Sequence, residues 1–194
     1  MLSTQEFFKR HHGNPILTVH DWPYPANSVF NAGAVLVNGE TVLLVRVEDR
    51  RGMSHLCVAR SEDGICNWRI DPEPTFMPAP EEHPEELWGI EDPRVTHCPE
   101  EGCYMIAYTA YSEGGPLVAL ARTCDFKTIE RLGPIQPPDD KDAALFPRRF
   151  GDRYALIHRP APAQAGHRAH IWISFSPDLK HWGDFSILLR ARLG

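Results

Sequence analysis

Short apolar runs separated by polar links rich in glycine and proline fill this chain, and the pattern recurs. Three segments share one plan: an apolar strand, a Gly-containing link and a returning strand. In the first, Ala34-Val35-Leu36-Val37 is followed by Asn38-Gly39-Glu40 and then Thr41 to Val47. In the second, Arg94-Val95-Thr96 leads through Pro99-Glu100-Glu101-Gly102 to Tyr104 to Tyr111, and in the third Ala144 to Pro147 leads through Phe150-Gly151-Asp152 to Tyr154 to His158. Glycine turns between apolar runs are hairpin chemistry. A further strand of small and apolar residues follows each hairpin: His55 to Arg60, Leu117 to Arg122 and His170 to Phe175. Each runs into a related turn, Ser61-Glu62-Asp63 with Trp68, Thr123-Cys124-Asp125 with Phe126, and Ser176-Pro177-Asp178 with Trp182. Ser or Thr two residues before Asp suits a turn whose side-chain oxygens accept from local backbone N–H groups, and the aromatic is expected to cover the strand below.

Helical periodicity is confined to Ser3–His11, where Ser3 as a cap and Glu6 three residues later predict one short helix. The rest reads as strands and turns, which makes the fold class all-β. Four-stranded units recurring at roughly 50 to 60 residues predict blades of a β-propeller, whose rings ordinarily hold four to eight. Three units are too few to close a ring. The expected organisation is one incomplete propeller domain over residues 1–194, with residues 1–26 as a lead-in segment.

Composition narrows the function classes. At 194 residues, 42% hydrophobic and 24% charged, the chain has an ordinary globular make-up and the length for one core. No apolar run approaches the roughly 20 residues that cross a bilayer, and Met1 to Gly13 lacks the apolar stretch of a signal peptide, so no membrane partner and a cytoplasmic location are expected. A net charge of −6 with no basic block argues against a nucleic-acid partner. The five cysteines, Cys57, Cys66, Cys98, Cys103 and Cys124, are odd in number and contain no C-x-x-C pair, so reduced thiols are expected, with neither a disulfide framework nor a zinc site. His167 and His170 offer two ligands at most and read as a solvated loop.

Propeller strands end around a central channel, so polar clusters at strand ends are the candidates for chemistry. They are Asn27-Ser28 with Asn31, the run Arg46 to Arg51, the run Gly89-Ile90-Glu91-Asp92-Pro93-Arg94, and Lys141-Asp142 with His158-Arg159. Pro93 predicts an extended Asp92, with Glu91 and Asp92 pointing opposite ways, so that one carboxyl acts as an acid while the other orients a neighbour. The same residues equally suit a surface turn with an Asp92–Arg94 ion pair, worth little. Arg46, Arg50, Arg51, Lys141 and Arg159 offer donors to an anion, since planar guanidinium groups match phosphate oxygens, although Arg50 and Arg51 sit in a polar loop and read as solvated. Tyr108, Tyr111 and Trp88 present aromatic faces suited to a sugar or to the core.

Taken together, these residues resemble glycoside hydrolase family 130, the β-mannoside phosphorylases and related mannosidases. The likeness rests on Asn27 to Ala34, Leu43 to Glu48, Gly89 to Arg94, Tyr108 to Ser112 and Lys141 to Pro147, extended by His158-Arg159-Pro160 and Ser176 to Leu179. It covers nearly the whole chain from about Gly13. The resemblance implies a five-bladed propeller whose central pocket holds a β-mannoside oligosaccharide, with Asp92 as general acid acting through a sugar hydroxyl. It implies inverting phosphorolysis, in which phosphate attacks the anomeric carbon from the face opposite the leaving sugar; phosphate is already a nucleophile, so no second carboxylate is needed to activate water. Inorganic phosphate is then a co-substrate, and no metal or other cofactor is expected. Carried over, Asn27, Ser28, Arg46, Asp49 and Tyr111 are sugar-pocket positions, with Glu91, Arg94 and Asp142 beside them, and Lys141, His158 and Arg159 are phosphate-site positions. The resemblance places two further blades and part of the phosphate site beyond Gly194. A β-mannosidase of the same family and a non-catalytic sugar-binding propeller are the alternatives, and open blade edges leave room for homo-oligomerisation.

Overall fold

The recurring plan is built as three four-stranded antiparallel sheets, each strand beside its sequence neighbour. A computed structural model describes residues 7–161 and 168–192. The first sheet holds β1 (Ser28–Val37), β2 (Glu40–Glu48), β3 (Ser54–Ser61) and β4 (Arg69–Ile70). The second holds β5 (Ile90–Cys98), β6 (Cys103–Ser112), β7 (Gly115–Thr123) and β8 (Glu130–Gln136), and the third β9 (Asp140–Leu145), β10 (Tyr154–Pro160), β11 (Ile171–Ser176) and β12 (Gly183–Leu189). At the first hairpin Asn38 and Gly39 are both left-handed, φ 50° and 89°, as a two-residue turn requires.

The turn after each third strand forms as its residues dictate. The Asp63 carboxylate accepts from the backbone of Ile65 and Cys66 at 2.8 and 2.9 Å, Asp125 from Lys127 and Thr128 at 2.8 and 2.8 Å, and Asp178 from Lys180 and His181 at 3.0 and 2.9 Å. Trp68 and Trp182 each close the turn by donating Nε1 to a carbonyl within it. Phe126 differs from them. It is the left-handed turn residue itself, φ 55°, and is buried in the core, the position that Leu179 takes in the third sheet.

Two expectations are corrected. Residues 7–11 carry no helix, and Ser3 and Glu6 lie outside the described residues; so short a segment has little helical stability without packing. The cysteines are not all reduced, because Cys103 and Cys124 form a disulfide. Cys103 opens β6 and Cys124 follows β7, and the Tyr104–Thr123 pairing sets them opposite one another, with Cα atoms 4.5 Å apart. Spacing along the chain does not reveal a pair made by hairpin register. Cys57, Cys66 and Cys98 are free, and His167 lies outside the described residues.

Apolar side chains alternate along the strands and fill the gaps between sheets. Val42, Leu44, Leu56 and Val58 of the first sheet meet Ile106, Tyr108, Ala119 and Ala121 of the second. Met105, Ala107, Val118 and Leu120 on the second sheet's other face meet Leu145, Tyr154 and Leu156 of the third. The outer face of the first sheet is covered by the segment before β1, where Leu17, Trp22, Tyr24 and Ala26 pack on Val45, Val47, Cys57 and Ala59.

One backbone irregularity recurs and positions the site. Each sheet's first strand carries a bulge near its start: Phe30 pairs with Arg46 but Gly33 with Leu44, Glu91 with Thr109 but Arg94 with Ala107, and Lys141 with Arg159 but Ala144 with Ile157. The residue after each first pair is left-handed: Asn31 at φ 46°, Asp92 at 48° and Asp142 at 57°. Asn and Asp tolerate that conformation better than other non-glycine residues.

Candidate functional site

Arg46 is the centre of the charged cluster. It lies two residues beyond Leu44 on β2 and so shares the face turned toward the second sheet. Its guanidinium lies 4.5 Å from the centre of the Phe30 ring. Nε donates to Ser54 Oγ at 2.9 Å, Nη1 to Asp92 Oδ1 at 2.8 Å and Nη2 to Glu91 Oε1 at 2.8 Å. Asn31 Nδ2 donates to the same Asp92 Oδ1 at 3.0 Å. The side chains of Arg46, Glu91 and Asp92 are only 12%, 24% and 18% exposed, which makes these charge-assisted bonds far less screened than surface pairs.

This geometry corrects the expectation for Asp92. The bulge makes Asp92 left-handed rather than extended, so Glu91 and Asp92 converge on one guanidinium instead of pointing apart. Arg94 donates Nη1 to the Pro93 carbonyl at 3.1 Å, and Asp92 finds its cation on the neighbouring sheet. Two glycines let the strands approach this closely. A Cβ on Gly33 would meet the Pro93 carbonyl oxygen at 2.9 Å, and one on Gly89 would meet Ser54 N and O at 2.8 Å. Burial pushes the Glu91 carboxyl above its ordinary value even though Arg46 pulls it down, and the neighbouring Asp92 charge adds to the rise.

The other predicted positions divide. Asn27 donates to Glu48 Oε1 at 2.7 Å and to Ser28 Oγ at 3.2 Å, forming a polar group at the start of β1. Tyr111 stacks edge-on with Trp88, ring centres 5.3 Å apart, and its backbone bonds Gly89. Lys141 sits opposite Arg159 and acts electrostatically on Glu91. Arg159 donates Nε to Asp142 Oδ2 at 2.8 Å, and both side chains are 33% exposed. Asp49 serves its own loop: burial alone would raise its carboxyl, but bonds from Arg51 and Met53 outweigh that and hold it below its ordinary value. His158 is 2% exposed, and its Nδ1 is 2.5 Å from Asp140 Oδ2. It shares the inner face with Tyr154 and Leu156, whereas Arg159 points the other way. His158 is therefore set apart from Lys141 and Arg159, beside a groove of about 360 Å³ edged by Trp172 and Phe185.

The sequence placed Asn31 and Glu48 in candidate polar clusters without a role of their own, and it did not single out Ser54. Asn31 carried one usable signal, an Asn before Ala32-Gly33 in a strand, which suits a left-handed bulge. Ser54 carried none.

A family model described as beta-1,4-mannooligosaccharide phosphorylase matches residues 7–192, and so spans all three four-stranded sheets. The chain belongs to this family, glycoside hydrolase family 130. It is 37% identical over 142 residues to a beta-1,2-mannobiose phosphorylase of Listeria innocua, covering 73% of this chain and 38% of that protein. A 1,2-beta-oligomannan phosphorylase of Thermoanaerobacter sp. is 32% identical over 195 residues, covering 94% of this chain and 61% of the relative. The chain thus spans about half the length of the curated relatives it matches. The Listeria innocua beta-1,2-mannobiose phosphorylase in complex with beta-1,2-mannobiose superposes with a TM-score of 0.83 at 28% identity, covering 95% of this chain and 67% of that one.

Proposed function

We propose that this chain carries the acid centre of a β-mannoside phosphorylase of five-bladed propeller form, with inorganic phosphate as co-substrate and no metal or organic cofactor. The observation that carries the reading is the Arg46 fork, one guanidinium holding two partly buried carboxyls. With both ionised the group is net negative, and one proton neutralises it. Burial, which pushes the Glu91 carboxyl up, favours a proton on the fork as a whole, and the two coupled carboxyls share it, so that Asp92 can pass it on. In this reading Asp92 delivers a proton to the leaving sugar's oxygen by way of a sugar hydroxyl. The bond from the anomeric carbon to that oxygen breaks as a phosphate oxygen bonds the carbon from the opposite face. The product is α-mannose 1-phosphate, and the Asp92 carboxylate regains its proton from water. Asn27, Ser28 and Tyr111 form the sugar-binding rim, and Lys141 and Arg159 present cationic donors to phosphate.

The test is incubation of the protein with β-1,2- and β-1,4-mannooligosaccharides with and without phosphate. Mannose 1-phosphate formed only with phosphate is the expected outcome. Release of free mannose independent of phosphate would make the protein a hydrolase, and sugar binding without turnover under either condition would make it a binding module.

A further inference from the structure

We infer that Asn31 is a positioning residue that, with Arg46, fixes which oxygen of Asp92 carries the proton. The inference deepens the acid role proposed above for Asp92 and rests on it. Asn31 and Arg46 both donate to Asp92 Oδ1, at 3.0 and 2.8 Å. An oxygen accepting two N–H bonds, one from a cation, is the poorer place for a proton, because a proton there would displace a donor. The transferable proton therefore belongs on Oδ2. With the proton on Oδ2, Oδ1 only accepts, so the amide nitrogen of Asn31, not its oxygen, faces it.

Asn31 is not at this distance by accident of loop placement. It is the bulge residue of β1, as Asp92 is of β5, and Gly33 lets the two strands meet. Among the described residues, β1 brings no titratable group to this place. The charges facing Asp92 are Arg46 on β2 and Glu91 on β5, and Glu91 in turn feels Lys141 on β9 and Glu48 on β2. The Asp142–Arg159 pair of β9 and β10 is closed on itself. Tyr111 is the next-to-last residue of β6, and His55 on β3 is engaged with Tyr24. Asn31 is thus a neutral donor added to a charged pair, and its removal changes no formal charge.

The test uses two variants that respect the left-handed backbone. Asn31→Gly removes the amide and keeps the conformation, and Asn31→Asp replaces a donor with a charge. The Asp92 carboxyl is followed by its ¹³C signal against pH, assigned by its loss in Asp92→Asn. In Asn31→Gly the midpoint is expected to rise by about half a pH unit, and in Asn31→Asp by about one unit or more. With β-mannoside and phosphate, kcat should fall about tenfold in Asn31→Gly while KM stays within about twofold, as for an interaction made only in the transition state. Midpoints unchanged in both variants overturn the inference, whatever happens to stability. Shifted midpoints in a parent protein that shows no turnover leave the inference standing and remove the phosphorylase reading instead.

Discussion

Asp92 and Asp142 occupy one backbone position in two successive sheets, each left-handed in a bulge and each bound to an arginine. The difference lies in where the arginine comes from. Arg46 and Arg159 are themselves equivalent, each opposite the residue before the bulge. In the first sheet the bulge residue is Asn31, which carries no charge, so Arg46 has no acid at home and reaches across to Asp92 and Glu91. In the second sheet the equivalent position is Thr109, so no guanidinium crosses to Asp142. Asp142 takes Arg159 from its own sheet, on a face that no further sheet covers among the described residues. A repeated backbone thus builds a largely buried, shared cluster at one step and a one-third-exposed local pair at the next, through the choice of residue at positions 31 and 109.

The largest effect that separates the two aspartates is on turnover. Asp92→Asn keeps a residue that accepts the left-handed conformation and removes the acid, so kcat for phosphorolysis should fall by about 10²- to 10⁴-fold with sugar affinity nearly unchanged. Asp142→Asn should change kcat by less than about threefold. Equal losses in the two variants would erase the distinction.

The two arginines should part next, in stability. Arg46→Met leaves Glu91 and Asp92 facing each other in a partly dry gap without a cation, costing about 2–4 kcal/mol near neutral pH by urea unfolding. Arg159→Met should cost less than about 1 kcal/mol, as for an exposed pair. The Arg46→Met deficit should shrink in acid as the carboxyls protonate; a deficit that stays constant would mean that lost packing on Phe30 is responsible.

Much of this was legible in the sequence, and what was not has a physical cause. The hairpins and the Ser/Thr-x-Asp turns are local, written in side chains that satisfy nearby backbone, and each forms where its residues stand. The fourth strands of the sheets are set by edge pairing with little sequence pattern of their own: Arg69–Ile70 is two residues long, and Gly183–Leu189 is mostly exposed. The site residues Asp92 and Arg46 could be named, but their meeting across two sheets could not. Pro93 argues for an extended neighbour, and the bulge overrides it with long-range pairing. The same limit hid the Cys103–Cys124 bond and the burial of His158, because strand alternation around a bulge decides which face a residue takes.

Within the shared cluster, Glu91 sharpens the contrast through pH. Burial raises its carboxyl in the folded state, so folding binds a proton there more tightly than the unfolded chain does. Its contribution is therefore fully present below the unfolded carboxyl value and is lost as pH rises through the raised folded value. Glu91→Gln should remove that loss, so the variant gains stability relative to the parent as pH rises above the ordinary carboxyl range. A relative loss for Glu91→Gln over the same range would show that the bond to Arg46 outweighs desolvation.

The smallest expected effect tests whether Asp142 restrains Arg159. The pair is one-third exposed on both sides, so Asp142→Asn should alter stability by less than about 1 kcal/mol. Its consequence should appear instead in phosphate binding. A guanidinium whose Nε and Nη2 are turned onto a carboxylate is a poorer anion ligand than one turned outward, and Lys141 stands opposite it in the strand pairing. Neutralising Asp142 should leave Arg159 and Lys141 as an uncompensated cationic pair and tighten phosphate by about two- to fivefold at low salt, with the gain fading as salt screens it. The double variant Asp142→Asn/Arg159→Met should lose that gain. If phosphate binds equally well to the parent and to Asp142→Asn, Arg159 is not a phosphate ligand, and its pairing with Asp142 is a structural closure of the third sheet's bulge.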